Sequence, residues 1–416
     1  MVDLLIHNAS QILTCAGTEP KSGHDAGEIG LVEGPENGAV AIDAGKIVAV
    51  GPEAAKESAD EEIDAHGGVV LPGFVDCHTH AVWIGSRAHE FEERGRGVNY
   101  EMIAKRGGGI RASMRMLREA SDEELNLAVL RHLDTFLELG TTTIEAKSGY
   151  GLSLDAELRS LRALKQDHTV EVVRTCLAAH SIPPEFDDNR DGYLDLVCDE
   201  IYPAVVEEQL ADYCDVFCEV GVFTFQEAER VLLRGKELGL RPRVHAEQLS
   251  HAGGGRLAAR VGAITADHLE FATKVDATAM RDAGVIAVLL PAANYILDQA
   301  ERPSARSMIN LGLPIALGTD FNPGSAPTQS TPLNINIAVT RFGMSIAEAI
   351  VSSTINAAHA AGVGDRVGSL QPGYQADVII CDTPDYRDIA YRFGVNPVRT
   401  VIKHGKVVCD RAAQSR

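Results

Sequence analysis

Nowhere in its 416 residues does this chain run apolar for the roughly 20 positions that a membrane-spanning helix needs, so a helical membrane anchor is not expected. The N-terminus, Met1-Val-Asp-Leu-Leu-Ile-His, has an acid where an export signal carries a base, and its apolar run is too short for the core of one. Positive charge is scarce. Lys and Arg number 38 against 59 Asp and Glu, and the net charge of -21 opposes phosphate backbones and anionic membrane surfaces. Nucleic acid and membrane are therefore not expected partners, and an anionic small substrate would need a local cationic clamp. The eight cysteines include no Cys-x-x-Cys pair and lie mostly in apolar runs. They read as reduced core residues of a cytoplasmic protein. The glycines at 107–109 lack a phosphate-loop pattern and read as a loop before a helix starting near Ile110.

What is present is ample core material: 45% of residues are hydrophobic and the mean hydropathy is -0.03, as in a globular protein. Both ends read as strand and turn, over Leu4 to Thr14, Gly38 to Val50, Ala376 to Cys381 and Val398 to Cys409. The segment from Glu19 to Asn37, rich in Gly, Asp and Glu, reads as a mobile loop.

The middle alternates apolar runs with helical patterns, as a parallel, helix-covered barrel requires. Capping boxes start helices at Ser121 with Glu124, Thr224 with Glu227 and Ser345 with Glu348, and Gly140, Gly239 and Gly362 stop them. Between such helices fall eight candidate strands: Val69–Cys77, Thr141–Ala146, Val170–Ala178, Val216–Glu219, Arg241–Val244, Ala263–Ala266, Val285–Leu290 and Pro314–Gly318. Eight is the number that closes a (β/α)8 TIM barrel.

Polar, ligand-type residues follow six of these strands. Strand one ends in His78 and His80, strand two in Lys147, strand three in His180, strand five in His245, strand six in Asp267 and His268, and strand eight in Asp320. Residues i and i+2 of a strand share a face, so His78 and His80 can reach one metal ion. The C-terminal strand ends of a barrel share one mouth, where its active site is built. A single histidine is more often a satisfied core residue; six such strand ends together are poorly explained by packing.

With the segments Gly85-Ser-Arg-Ala-His-Glu-Phe91, Glu145-Ala-Lys-Ser-Gly-Tyr-Gly-Leu152, Ala179-His-Ser-Ile-Pro-Pro184, His245-Ala-Glu-Gln248, Ala266-Asp-His-Leu269 and Thr319-Asp-Phe-Asn-Pro-Gly-Ser325, the chain resembles the amidohydrolase superfamily and, within it, the imidazolonepropionase family. The resemblance implies a barrel over residues 69–362 and a small β-sandwich made jointly by 1–68 and 363–416. It implies a metal at His78, His80, His245 and Asp320. Strand four lacks the lysine that bridges two metals in many relatives, so one transition metal per chain is expected, zinc or iron, with Glu219 as a residual second-site candidate and Lys147 as a hydrogen-bonding residue.

The implied reaction is hydrolysis of the ring amide of 4-imidazolone-5-propanoate to N-formimino-L-glutamate, a step of histidine degradation. Three neutral imidazoles and one carboxylate leave the metal charge largely uncompensated, so a bound water falls toward a pKa of about 7. Asp320 is expected to take the water's proton and pass it to the departing nitrogen, and His268 to hydrogen-bond the developing oxyanion. The planar fork of Arg87 suits the propionate, although a surface ion pair with Glu90 or Glu92 would also explain it. By resemblance Tyr150, His180, Asn322, Gly324 and Ser325 contact the substrate; Gly324 could equally be a turn residue with positive φ. Gln248 stands where a glutamate is expected and, unable to act as a base, is kept as a substrate contact.

A different amidohydrolase, such as an aromatic-base deaminase, would share the metal set without requiring Arg87 or the 322–325 loop. A catalytically silent barrel would usually lose ligands, and this chain keeps all four. A homodimer is the assembly that the family suggests.

Overall fold

A computed structural model describes residues 1–98, 102–103 and 106–411. The chain's two ends build two sheets. One has the order β5-β4-β1-β6, with β1 at Val2–His7, β4 at Val40–Asp43, β5 at Lys46–Val50 and β6 at Ala59–Asp64. The other has the order β18-β17-β16-β7-β2-β3, with β2 at Gln11–Leu13, β3 at Leu31–Glu33, β7 at Val69–Pro72, β16 at Val378–Cys381, β17 at Val398–Lys403 and β18 at Lys406–Asp410. Leu4, Ile6 and Ile42 of the first sheet pack with Ile12, Val70, Ile380 and Ile402 of the second in one apolar cluster. Alternating residues of both sheets face inward, as the two layers of a sandwich require.

Eight parallel strands follow in sequence order, each hydrogen-bonded to the next: β8 at Phe74–Thr79, β9 at Thr141–Lys147, β10 at Glu171–Ala179, β11 at Tyr213–Cys218, β12 at Arg241–Ala246, β13 at Thr265–His268, β14 at Ile286–Leu289 and β15 at Ile315–Leu317. The seam between first and last is closed just beyond β15. There Asp320 N donates to His78 O at 3.0 Å and His80 N to Phe321 O at 2.9 Å. This is the expected (β/α)8 barrel.

All three capping boxes form, and the structure adds a fourth at Thr273 with Asp276. Their helices bury one face against the strands. In the helix Phe225–Glu237 the buried residues are Ala228, Val231, Leu232 and Gly235, and a Cβ on Gly235 would lie 2.4 Å from Cys214 Sγ. Only glycine permits that approach.

Three sequence expectations change. The run Val69–Cys77 is two strands: β7 belongs to the sandwich and β8 to the barrel, and the chain crosses at Gly73, where a Cβ would meet Thr142 Oγ1 at 2.4 Å. Apolar patterning cannot reveal that an extended run changes sheets. The Glu19–Asn37 segment is anchored rather than a free loop. It carries β3, buries Ala26 and Ile29, and exchanges Lys21 backbone bonds with the Asn356 side chain at 2.7 and 2.8 Å. The helix begun at Ser345 stops at Ser352 and restarts as Ile355–Ala361 before Gly362 ends it with φ 82°.

Candidate metal centre and active site

Closure of the barrel seam sets His78, His80 and Asp320 side by side, and β12 brings His245 across from them. Asp320 Oδ1 lies 3.3 Å from His80 Nε2 and 3.5 Å from His78 Nε2, and His245 Nε2 lies 3.4 Å from His80 Nε2. Zinc–nitrogen bonds of about 2.1 Å place tetrahedral donor atoms about 3.4 Å apart, so these spacings fit one transition-metal ion. His78 Nε2 is buried and has no hydrogen-bond partner among the described residues, which also suits a ligand atom.

Two of the other ring nitrogens face carboxylates that sequence reading either missed or left without a role, while His80 Nδ1 has no hydrogen-bond partner among the described residues. His78 Nδ1 pairs with Asp267 Oδ2 at 2.6 Å, and His245 Nδ1 with Asp215 Oδ2 at 3.0 Å. Such partners fix the ring's orientation and direct Nε2 at the metal. Lys147 Nζ sits between both, 2.9 Å from Asp215, 3.6 Å from Asp267 and 2.9 Å from Glu145. Its expected hydrogen-bonding role is met by an ammonium that neutralises the carboxylates below the histidines. The only prior signal for Asp215 is its place on an inward-facing strand position.

The electrostatics follow from this burial. Burial drives His80 down to about 4, and it drives His180 and His268 well below the ordinary histidine range. These rings are neutral near pH 7. Burial and Lys147 also push His78 down, yet Asp267 and Asp320 outweigh them and carry it up to about 9. Burial would raise Asp320, but the adjoining His78 and His80 rings hold it well below the usual carboxylate range. Backbone strain accumulates at the same strand ends: Glu247, His268, Leu269 and Asp320 have φ of 57, 79, 72 and 56°. Left-handed conformations in such residues cost roughly 1–3 kcal/mol each and cluster at functional sites.

Above these groups opens a cavity of about 460 Å³. His80, His245, His268 and Asp320 form its floor, with His78 beneath it. Arg87, Tyr150, His180 and Gln248 line it, as do Asn322, Gly324 and Ser325, so each of the remaining expected residues reaches one space. His180 stacks on His80 with ring centroids 5.1 Å apart, while its Nδ1 is 3.0 Å from Gly149 O, and Tyr150 lies 5.5 Å from the His180 ring. Asn322 organises its loop: its Oδ1 accepts from Gly324 N and Ser325 N at 2.8 Å each, and its Nδ2 donates to Ser325 Oγ at 2.8 Å.

Two expectations need correction. Gly324 has no positive φ, so it is not a left-handed turn residue. A Cβ there would lie 2.3 Å from Arg87 Nη1; the glycine makes room for the guanidinium. The Arg87–Glu90 ion pair exists, at 2.9 and 2.6 Å, but it is buried in the cavity wall rather than on the surface. Glu219, the residual second-site candidate, instead accepts from Leu249 N and Ser250 N and so pins the loop after β12.

The amidohydrolase family profile matches residues 237–408. An imidazolonepropionase of Solibacter usitatus (strain Ellin6076) is 47% identical over 99% of this chain and 100% of its own length. One of Geobacillus kaustophilus (strain HTA426) is 47% identical over 99% of each. The chain belongs to the imidazolonepropionase family. Among solved structures, an adenosine deaminase from Xanthomonas campestris with bound zinc superposes with a TM-score of 0.73 at 19% identity, covering 100% of this chain and 96% of that one. The 5-methylcytosine deaminase from Klebsiella pneumoniae gives 0.74 at 17%, covering 98% and 97%. At such identities these deaminases speak for the fold alone, whereas imidazolonepropionases match the chain from end to end.

Proposed function

We propose that this chain hydrolyses the ring amide of 4-imidazolone-5-propanoate to N-formimino-L-glutamate in L-histidine degradation. The observation that carries the reading is the 47% identity to imidazolonepropionases over essentially the full length of both chains. His78, His80, His245 and Asp320 hold one divalent transition metal, zinc or iron, and the spacing of their donor atoms supports that assignment. Bound there, the metal supplies a Lewis acid that acidifies a water molecule and polarises the ring carbonyl.

The chain's own residues do the rest. Asp320 takes a proton from the attacking water as its oxygen bonds to the carbonyl carbon, and delivers that proton to the ring nitrogen as the carbon–nitrogen bond breaks. His268 donates a hydrogen bond to the carbonyl oxygen as negative charge builds on it. Arg87 offers its fork to the propionate, with Tyr150, His180, Gln248, Asn322, Gly324 and Ser325 shaping the space around the ring. The terminal segments 1–68 and 363–416 serve as a composite domain bracing the barrel of residues 69–362, with β7 continuing the first segment into the sandwich. Turnover is tested with freshly made imidazolone propanoate, whose ultraviolet absorbance should fall on adding metal-loaded protein. No loss of absorbance would sink the reading, and release of ammonia from an aromatic base would replace it with a deaminase.

A further inference from the structure

Beside His268, and not among the residues that line the cavity, lies a carboxyl group to which the proposed reaction gives no role. Glu270 is 5% exposed, and neither of its carboxyl oxygens has a hydrogen-bond partner among the described residues. Its Oε2 is 4.0 Å from His268 Nδ1, itself buried and without a hydrogen-bond partner. The two left-handed residues His268 and Leu269 reverse the chain at the end of β13 and bring Glu270 back to the ring.

An ionised carboxylate so placed would be very costly, because no Lys or Arg pairs with it among the described residues. The groups facing it offset that cost only in part: the Asn294 amide favours the ionised form, but Asp320 and Glu219 are acids that oppose it, and His268 is held neutral by burial. Burial, reinforced by Asp320 and Glu219, pushes Glu270 up to about 8. A cation bound by the neighbouring histidines acts in the opposite direction, so the loaded protein's own pH profile decides where the group titrates.

A neutral imidazole carries one hydrogen. If His268 is to donate to the substrate's carbonyl oxygen from one nitrogen, the other must accept. Building on the reaction read above, we propose that neutral Glu270 is the positioning residue of His268: its O–H donates to Nδ1 and fixes the tautomer whose Nε2–H meets the carbonyl oxygen. The 4.0 Å separation closes by rotation of the Glu270 side chain, in the free protein as in the substrate complex.

The test compares full-length wild type, Glu270→Gln and Glu270→Leu, each with its metal content measured. The tautomer is read first, without substrate, from ¹⁵N-histidine NMR spectra in which the His268 signals are those lost in His268→Asn. Wild type and Glu270→Gln should show hydrogen on Nε2, because the glutamine amide also donates to Nδ1, whereas Glu270→Leu should lose that preference. Hydrogen on Nδ1 in the wild type overturns the proposal even if imidazolone propanoate proves not to be the substrate. In turnover, kcat of the wild type should fall on the alkaline side as Glu270 ionises. Glu270→Gln should keep kcat within about fivefold near pH 7 and lose that alkaline limb, and Glu270→Leu should lose at least about 30-fold in kcat with little change in KM. A glutamine variant as slow as the leucine variant, or one that keeps the alkaline limb, would show that Glu270 acts as a carboxylate or only as packing. A wild type inert on imidazolone propanoate would instead count against the reaction, leaving the NMR result to judge the tautomer.

Discussion

At the residue scale the proposed reaction gives Asp320 two burdens, as a ligand of the metal and as the group that moves a proton, and a substitution can separate them. Asp320→Asn keeps an oxygen toward His78 and His80 but cannot accept the proton. We expect kcat to drop at least about 100-fold even after metal is restored. Near-normal turnover of a metal-replete variant would transfer the proton to another residue. His78 gives a second prediction at this scale. Its pKa is raised to about 9, so below that pH the metal-free protein holds a proton that coordination must expel. Metal affinity should therefore weaken about tenfold for each pH unit below 9, with close to one proton released from His78 per ion bound. Chelator competition combined with calorimetry in two buffers checks it; pH-independent affinity between 6 and 9 would contradict the protonated His78. The histidines themselves were legible from their places after apolar runs. Asp215 and Glu270 were not, because each matters only through a ring nitrogen contributed by another strand or by a reversal of the backbone.

Single elements decide how the cavity reads its ligand. The loop after β15 meets the start and the last turn of the helix Ala88–Gly95: Gly324 lies against Arg87, the helix's N-cap, and Arg94 Nη2 donates to Gly324 O at 3.1 Å. Gly324→Ala should displace the guanidinium without disturbing the barrel. A loss of about 2–4 kcal/mol in kcat/KM, roughly 30- to 1000-fold, is expected if the fork reads the propionate, and Arg87→Met should lose a similar amount. Arg87→Met also strands Glu90 in the wall, so thermal stability should fall in that variant and recover in the double variant Arg87→Met/Glu90→Gln. The kinetic loss should not recover. If both recover together, the pair is a structural brace and does not read the carboxylate. The capping boxes at Ser121, Thr224 and Ser345 were legible because each is a local bargain struck within four residues. For Gly324 the positive φ was the wrong alternative, because the reason for its missing side chain is 237 positions away in the chain.

For the molecule as a whole, a metal held at the proposed site would tie the barrel's seam to its far wall, joining β8 and the segment after β15 to β12. Elemental analysis after dialysis should find close to one ion per chain. Stripping it should lower Tm by on the order of 5–10 °C, the scale set by about 4 kcal/mol of binding linkage in a large domain. Two tightly held ions, or an unchanged Tm, would oppose a single seam-closing site. The sequence by itself determined the eight barrel strands, the stops and starts of its main helices and the polar residues at the strand ends, because periodicity, caps and strand ends are properties of neighbouring residues. Only the tertiary structure decided that one extended run serves two sheets, that Lys147 neutralises two carboxylates behind two different ligands, that Gly324 yields space to Arg87, and that Glu270 stands beside His268. Each of these depends on a distance between residues far apart in the chain or on a backbone reversal, and such distances exist only after the barrel has closed.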